Sequence, residues 1–195
     1  MTTRMLASAV LILGSLVNSA CAPVIVGGAA ATTASVAHDR RTTGAVVEDK
    51  VIKSRVRRAL HDEPEMLDSS HINASVFNGW VLLTGETPTE NFRDRAGNIA
   101  RGQEKVRRVY NELTIAAPSS MMTRSSDAWI TTKVKSSLVG LGIEGFDPTR
   151  VKIVTENGTV YIMGLVYRTE ANAAVAQARQ ASGVQRVVKL FEYLD

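Results

Sequence analysis

The sequence is poor in the residues that build catalytic and metal centres. It has one cysteine, Cys21, in 195 residues, so neither an internal disulfide nor a multi-cysteine metal site can form. It has three histidines, and their positions do not make a ligand set. His38 falls in a small-residue stretch, His61 ends a helical pattern where a cation is favoured, and His71 opens a strand pattern. Strong charge imbalance is also missing. A net charge of +4 is a weak argument for nucleic acid and a better fit to an anionic membrane surface. Ser70 beside His71 is sequence adjacency, not a nucleophile against its base. The chain reads as a non-enzyme.

No apolar run reaches the ~20 residues that span a bilayer as a helix. Residues 5–17 are almost wholly apolar, follow Arg4, and precede Asn18, Ser19, Ala20 and Cys21. This pattern predicts a secretory signal over residues 1–20. The lone cysteine directly after it resembles the lipobox of bacterial lipoproteins. Ser19 and Ala20 match that motif, while Asn18 stands where the family usually has leucine. The resemblance implies that Cys21 carries diacylglycerol and an N-acyl chain, with no other cofactor. Ala22, where aspartate often marks inner-membrane retention in such lipoproteins, favours the outer membrane, and the expected location is its periplasmic face. Residues 21–46, rich in Ala, Gly, Thr and Val, are expected to be a flexible tether.

The rest of the chain repeats itself. Asp49-Lys50-Val51-Ile52-Lys53-Ser54-Arg55-Val56 parallels Asp127-Ala128-Trp129-Ile130-Thr131-Thr132-Lys133-Val134. Each stretch leads to a hairpin whose turn is Asn-Gly, at Asn78-Gly79 and Asn157-Gly158. Such pairs favour type I′ turns, which need positive φ at both positions. An Ala-rich helix and a closing strand follow in each copy. The expected fold is α+β: two tandem domains, 47–115 and 127–195, each αββαβ with a three-stranded mixed sheet on two helices. The Pro- and Ser-containing segment 116–126 is expected to be the linker.

Ile52, Val56 and Leu60 share a helical face, as do Ile130, Val134, Leu138 and Leu141. Strand alternation places Ala74, Val76, Val81 and Leu83, and Ile153, Val160 and Ile162, on inner sheet faces. Gly85 and Gly164 are expected to let a helix approach the sheet. Phe77, Trp80, Leu82, Val154, Tyr161 and Met163 fall on the opposite faces, too apolar to stay wet, so the copies are expected to pack sheet to sheet.

The hairpins, the glycines closing their second strands, and Gly183-Val184-Gln185-Arg186-Val187 resemble the BON domain (bacterial OsmY and nodulation). With the lipobox and two copies, the chain resembles the dual-BON outer-membrane lipoproteins of the DolP/YraP family. That resemblance implies phospholipid binding, chiefly by the second domain, support of envelope integrity, a place at the division site and a link to the β-barrel assembly machinery. Some relatives are labelled haemolysins, so a membrane-damaging factor is one alternative. A protein-interaction module is the other.

The residues supply their own pointer to lipid. Trp129 lies more than about 90° from the apolar stripe of its helix, and a misplaced Trp suits a headgroup interface. Lys133 and Lys135 share that helix and could meet anionic headgroups, each worth ~1 kcal/mol. The second domain has nine basic and seven acidic residues from Arg124 onward, the first eleven of each, which weights the second. Gly140-Leu141-Gly142-Ile143-Glu144-Gly145 spells G-x-G-x-x-G but follows a helix, the reverse of a dinucleotide site; Gly140 is expected to end that helix. The expected lipid-binding residues are Trp129, Lys133 and Lys135; the expected partner is an anionic phospholipid membrane and not nucleic acid.

Overall fold

A computed structural model describes residues 39–139, 141–142 and 146–195. Cys21, the signal and most of the tether lie outside them, as does Gly140. Asp39–Asp195 form one compact unit holding both copies.

The first copy runs α1 (Thr43–His61), α2 (Pro64–Ser69), β1 (His71–Phe77), β2 (Trp80–Thr87), α3 (Glu90–Arg101), β3 (Arg108–Asn111) and β4 (Thr114–Ile115). The second runs α4 (Met121–Val139), a 3-10 turn (Pro148–Arg150), β5 (Val151–Glu156), β6 (Thr159–Val166), α5 (Arg168–Gln180) and β7 (Arg186–Tyr193). In each sheet a hairpin is antiparallel and the closing strand returns parallel to the central one, giving β1-β2-β3 and β5-β6-β7. This is the expected mixed sheet. The first closing strand is broken: β4 also pairs β2, and between β3 and β4 Leu113 turns into the core.

Why the hairpins close where they do is visible at their turns. Asn78 and Gly79 sit at φ 50° and 74°, Asn157 and Gly158 at 47° and 70°, as a type I′ turn requires. A buried aspartate from the first helix of each copy then clamps the turn. Asp49 accepts from the amides of Asn78 and Gly79 at 2.7 and 2.8 Å, and Asp127 from those of Asn157 and Gly158, both at 2.9 Å.

Among the described residues three apolar clusters result. Ile52, Val56 and Leu60 pack on Ala74, Val76, Val81 and Leu83 in the first copy; Ile130, Val134 and Leu138 pack on Ile153, Val160 and Ile162 in the second. Leu141 lies past the helix end but still packs on its core. The third cluster, Phe77, Leu82, Tyr161, Met163 and Leu190, joins the back faces of the two sheets. The expected sheet-to-sheet packing is present.

Three expectations need correction. The tether does not run to Val46: Thr42 caps α1 by accepting from the Ala45 amide, and Arg40 and Arg41 are anchored before it. Arg41 reaches Asp49 at 2.6 Å and lies 3.9 Å over the Phe77 ring, while Arg40 forks onto Glu170 of the second copy at 2.5 and 2.8 Å. The linker does not reach Ser126 either. Ser120 Oγ accepts from the Thr123 amide, and α4 is helical from Met121, so the serines cap and coat a helix. Finally, the strand glycines make room for a strand, not a helix. A Cβ on Gly85, at φ 116°, would lie 1.9 Å from the His71 carbonyl oxygen; one on Gly164 would meet Val151 and the Arg150 carbonyl at 3.0 and 3.1 Å.

Candidate functional site

Helix α4 buries Asp127, Ile130, Val134 and Leu138 on one side. Its other side carries Met122, Ser125, Trp129, Thr132, Ser136 and Val139, spaced so that they fall within roughly a third of the helix circumference. All six are exposed. Trp129 is 62% exposed, Met122 83% and Val139 75%, an unusual display of large apolar groups on a face that no other element covers among the described residues. The only acid in α4 is Asp127, and it is spent on the hairpin clamp. The outer face is therefore apolar and hydroxyl-bearing, with no negative charge.

Of the residues expected at this site, the fold brings two together. The Lys133 ammonium lies 5.8 Å from the Trp129 ring centroid, so charge and indole share one edge of the helix. Lys135 is exposed about 120° away around the axis, on the side of Lys152. Met121, Met122 and Val139 were not recognised from sequence. The signal for the first two was available, but the serines around them read as linker.

Lys152 on β5 is the half-buried counterpart. Its ammonium donates to the Val76 carbonyl of the first copy at 3.0 Å. Burial, with Lys53, Arg41 and Lys135 nearby, pushes it down to about 8. An unfolded lysine stays protonated to about 10.5, so between these values the unfolded chain binds more protons and stability rises with pH. The rise is at most about 3 kcal/mol, a pKa unit being worth ~1.4 kcal/mol. Urea unfolding at pH 7.5 and 10 should show this increment in the parent and not in Lys152→Met; equal pH dependence in both proteins would refute it.

Sequence also missed a polar knot between the copies. His71 Nδ1 lies 3.2 Å from Glu86 and 3.9 Å from Glu156, with all ligand-type atoms of the three within 4.8 Å. Burial works to raise the Glu86 carboxyl, but the Ser119 amide, Asn157 Nδ2 and His71 together hold it below the usual range. Burial pushes Glu156 up. A His-Glu-Glu set is of the type that holds a divalent cation. Here Glu86 is already committed to internal donors, so the knot acts as an interdomain tie. A second tie mirrors it: Asn78 and Arg107 of the first copy donate to Glu192 of the second at 2.6 to 3.0 Å.

Among the described residues no helix is long and apolar enough to cross a membrane.

Comparison with known proteins matches both copies to the BON domain, at residues 48–117 and 126–195. The chain is 38% identical over 188 residues to "Outer membrane lipoprotein DolP" of Haemophilus influenzae, covering 96% of this chain and 95% of that protein. It is 36% identical over 157 residues to "21 kDa hemolysin" of Actinobacillus pleuropneumoniae, 80% of each. It is 26% identical over 148 residues to "Osmotically-inducible protein Y" of Escherichia coli, 74% of this chain and 72% of that one.

Proposed function

This chain belongs to the BON-domain family, as a two-domain member of the DolP/YraP type, and on that premise we propose that it is an outer-membrane lipoprotein whose second domain docks on anionic phospholipid. The observation that carries this reading is the outer face of α4: Trp129 exposed among Met121, Met122 and Val139, beside Lys133 and without an acid. Such a face suits the headgroup–acyl boundary, where an indole is half apolar and half polar and lysine meets phosphate. The role is binding rather than catalysis.

In this reading Cys21 carries the diacylglycerol and N-acyl chains, since two or more chains anchor stably. The segment before Asp39 gives the globule reach over the periplasmic face, and docking supports envelope integrity. Relatives named for the outer membrane and for haemolysis support a role at a bilayer.

Vesicle co-sedimentation tests the site. All three apolar clusters lie within Asp39–Asp195, so that unit can be used without its anchor. Trp129→Glu should weaken binding to phosphatidylglycerol vesicles by about tenfold or more, the loss of one buried aromatic plus an added repulsion. Lys135→Glu, off that face, should do less. Retained binding by a folded Trp129→Glu protein would sink the assignment. Capture of an envelope protein through Trp129, with no vesicle binding, would replace it with a protein-interaction role.

A further inference from the structure

We propose that the first domain holds a separate ligand site, a recess that takes an anionic amphiphile: one phosphate or carboxylate head on a single short apolar chain. The recess, about 320 Å³, lies between α1, α2 and the start of β1. Its apolar lining is Leu60, Met66, Leu67, Ile72 and Ala74, and its basic edge is Lys53, Arg57 and His61. The volume is at the lower end of the roughly 300–1,000 Å³ of small-molecule pockets, suited to one chain and too small for a two-chain lipid.

Charge complementarity sets the head. Lys50, Lys53, Arg57 and His61 recur at helical spacing and so line one side of α1. Several other cations of this domain are neutralised, Arg55 by Glu104, Lys105 by Glu48 and Arg95 by Glu63. Lys53, Arg57 and Arg58 have no carboxylate within ion-pair distance among the described residues. Lys152 and, beyond it, Lys135 extend the positive potential toward Lys53. The recess thus has a small apolar floor within a mainly polar lining, and a cationic edge at Lys53 and Arg57 that carries no ion pair, a pattern that an anionic head on one short chain fits.

A second observation comes from Ser70. It lines the recess, and its hydroxyl oxygen is buried with no hydrogen-bond partner, a cost that proteins rarely leave in place. The recess also depends on a feature of the first copy. Helix α2 forms one wall, whereas in the second copy the described residues at the corresponding link form the 3-10 turn Pro148–Arg150. The repeat has diverged so that one copy presents a Trp face and the other a basic recess.

Titration of the labelled Asp39–Asp195 unit, followed by amide NMR, tests the proposal. The probes are a short-chain lysophosphatidylglycerol and decanoate, each below its micelle-forming concentration, with decyl maltoside and inorganic phosphate as controls. Saturable one-to-one binding is expected, with shifts centred on Leu67, Ser70, Ile72 and Ala74. Binding of the lysolipid alone assigns a phosphate head, of decanoate alone a carboxylate head, and of both an unselective anionic head. The Lys53→Glu/Arg57→Glu protein should bind about tenfold more weakly or worse, since each cation near an anionic group contributes at this scale. Trp129→Glu should leave the binding unchanged, which separates this site from the vesicle-docking face. The proposal is overturned if no amphiphile binds saturably, if the shifts map to α4, or if the charge-reversed protein, decyl maltoside or bare phosphate matches the parent complex.

Discussion

Leu82→Asp is expected to part the two domains while leaving each folded. Leu82 is fully buried, yet it faces away from its own domain's core and packs with Phe77, Tyr161, Met163 and Leu190 between the sheets. An unpaired carboxylate there costs several kcal/mol in desolvation, on top of about 2 kcal/mol of lost leucine burial. The polar ties around it cannot compensate. Arg107 to Glu192 is half exposed on the arginine side, and bonds of that kind contribute ~0–1 kcal/mol. Each domain retains its own cluster, so the penalty falls on the junction. Calorimetry should resolve two transitions in place of one, and small-angle scattering should show an increased radius of gyration. Leu82→Ala, which creates a cavity without a charge, should lower stability by about 2–5 kcal/mol and keep the domains together. An unchanged single transition and radius for Leu82→Asp would show that the third cluster does not hold the domains together.

What sequence revealed and what it hid follow from the range of the forces involved. Periodicity is local, so the faces of α1 and α4 and the alternation of β1, β2, β5 and β6 were readable, and the Asn-Gly turns fixed the hairpin register. The inter-sheet cluster was readable too, because Tyr161, Met163 and Leu82 are costly to leave wet. Serine misled. Ser119, Ser120, Ser125 and Ser126 read as linker, but Ser120 is a cap and Ser125 and Ser126 coat an exposed helix face. That misreading hid Met121 and Met122 from the candidate site. Arg40 and Arg41 were hidden for a different reason. Glu170, the partner of Arg40, is specified only once the domains are packed, and Arg41 finds Asp49 only through the turn that leads into α1. The knot of His71, Glu86 and Glu156 joins residues up to 85 apart, and no short-range pattern encodes such a pairing.

Asp127→Ala is expected to cost about 3 kcal/mol and to weaken vesicle docking with it. The carboxylate is 5% exposed and accepts from two successive turn amides, each a charge-assisted bond of ~1.5–3 kcal/mol. Alanine leaves both N–H groups without their acceptor in a turn whose positive φ values they help to hold. Asn157 suffers twice, because its side chain also donates to Glu86 at 2.5 Å and ties the second copy to the first. Asp127→Asn keeps one acceptor oxygen and should recover part of the loss. The coupling to function follows from position. Trp129 lies two residues along the same helix, so an α4 no longer pinned to its hairpin presents the indole less rigidly. Urea unfolding measures the first effect, and phosphatidylglycerol vesicle binding of the still-folded protein measures the second. The homologous Asp49→Ala should lower stability comparably, since Asp49 also holds Arg41, but should leave vesicle binding intact. A loss below about 0.5 kcal/mol at either position would class it with ordinary surface substitutions and remove the clamp from this account. Equal loss of vesicle binding in both variants would mean that general stability, and not the rigidity of α4, governs docking.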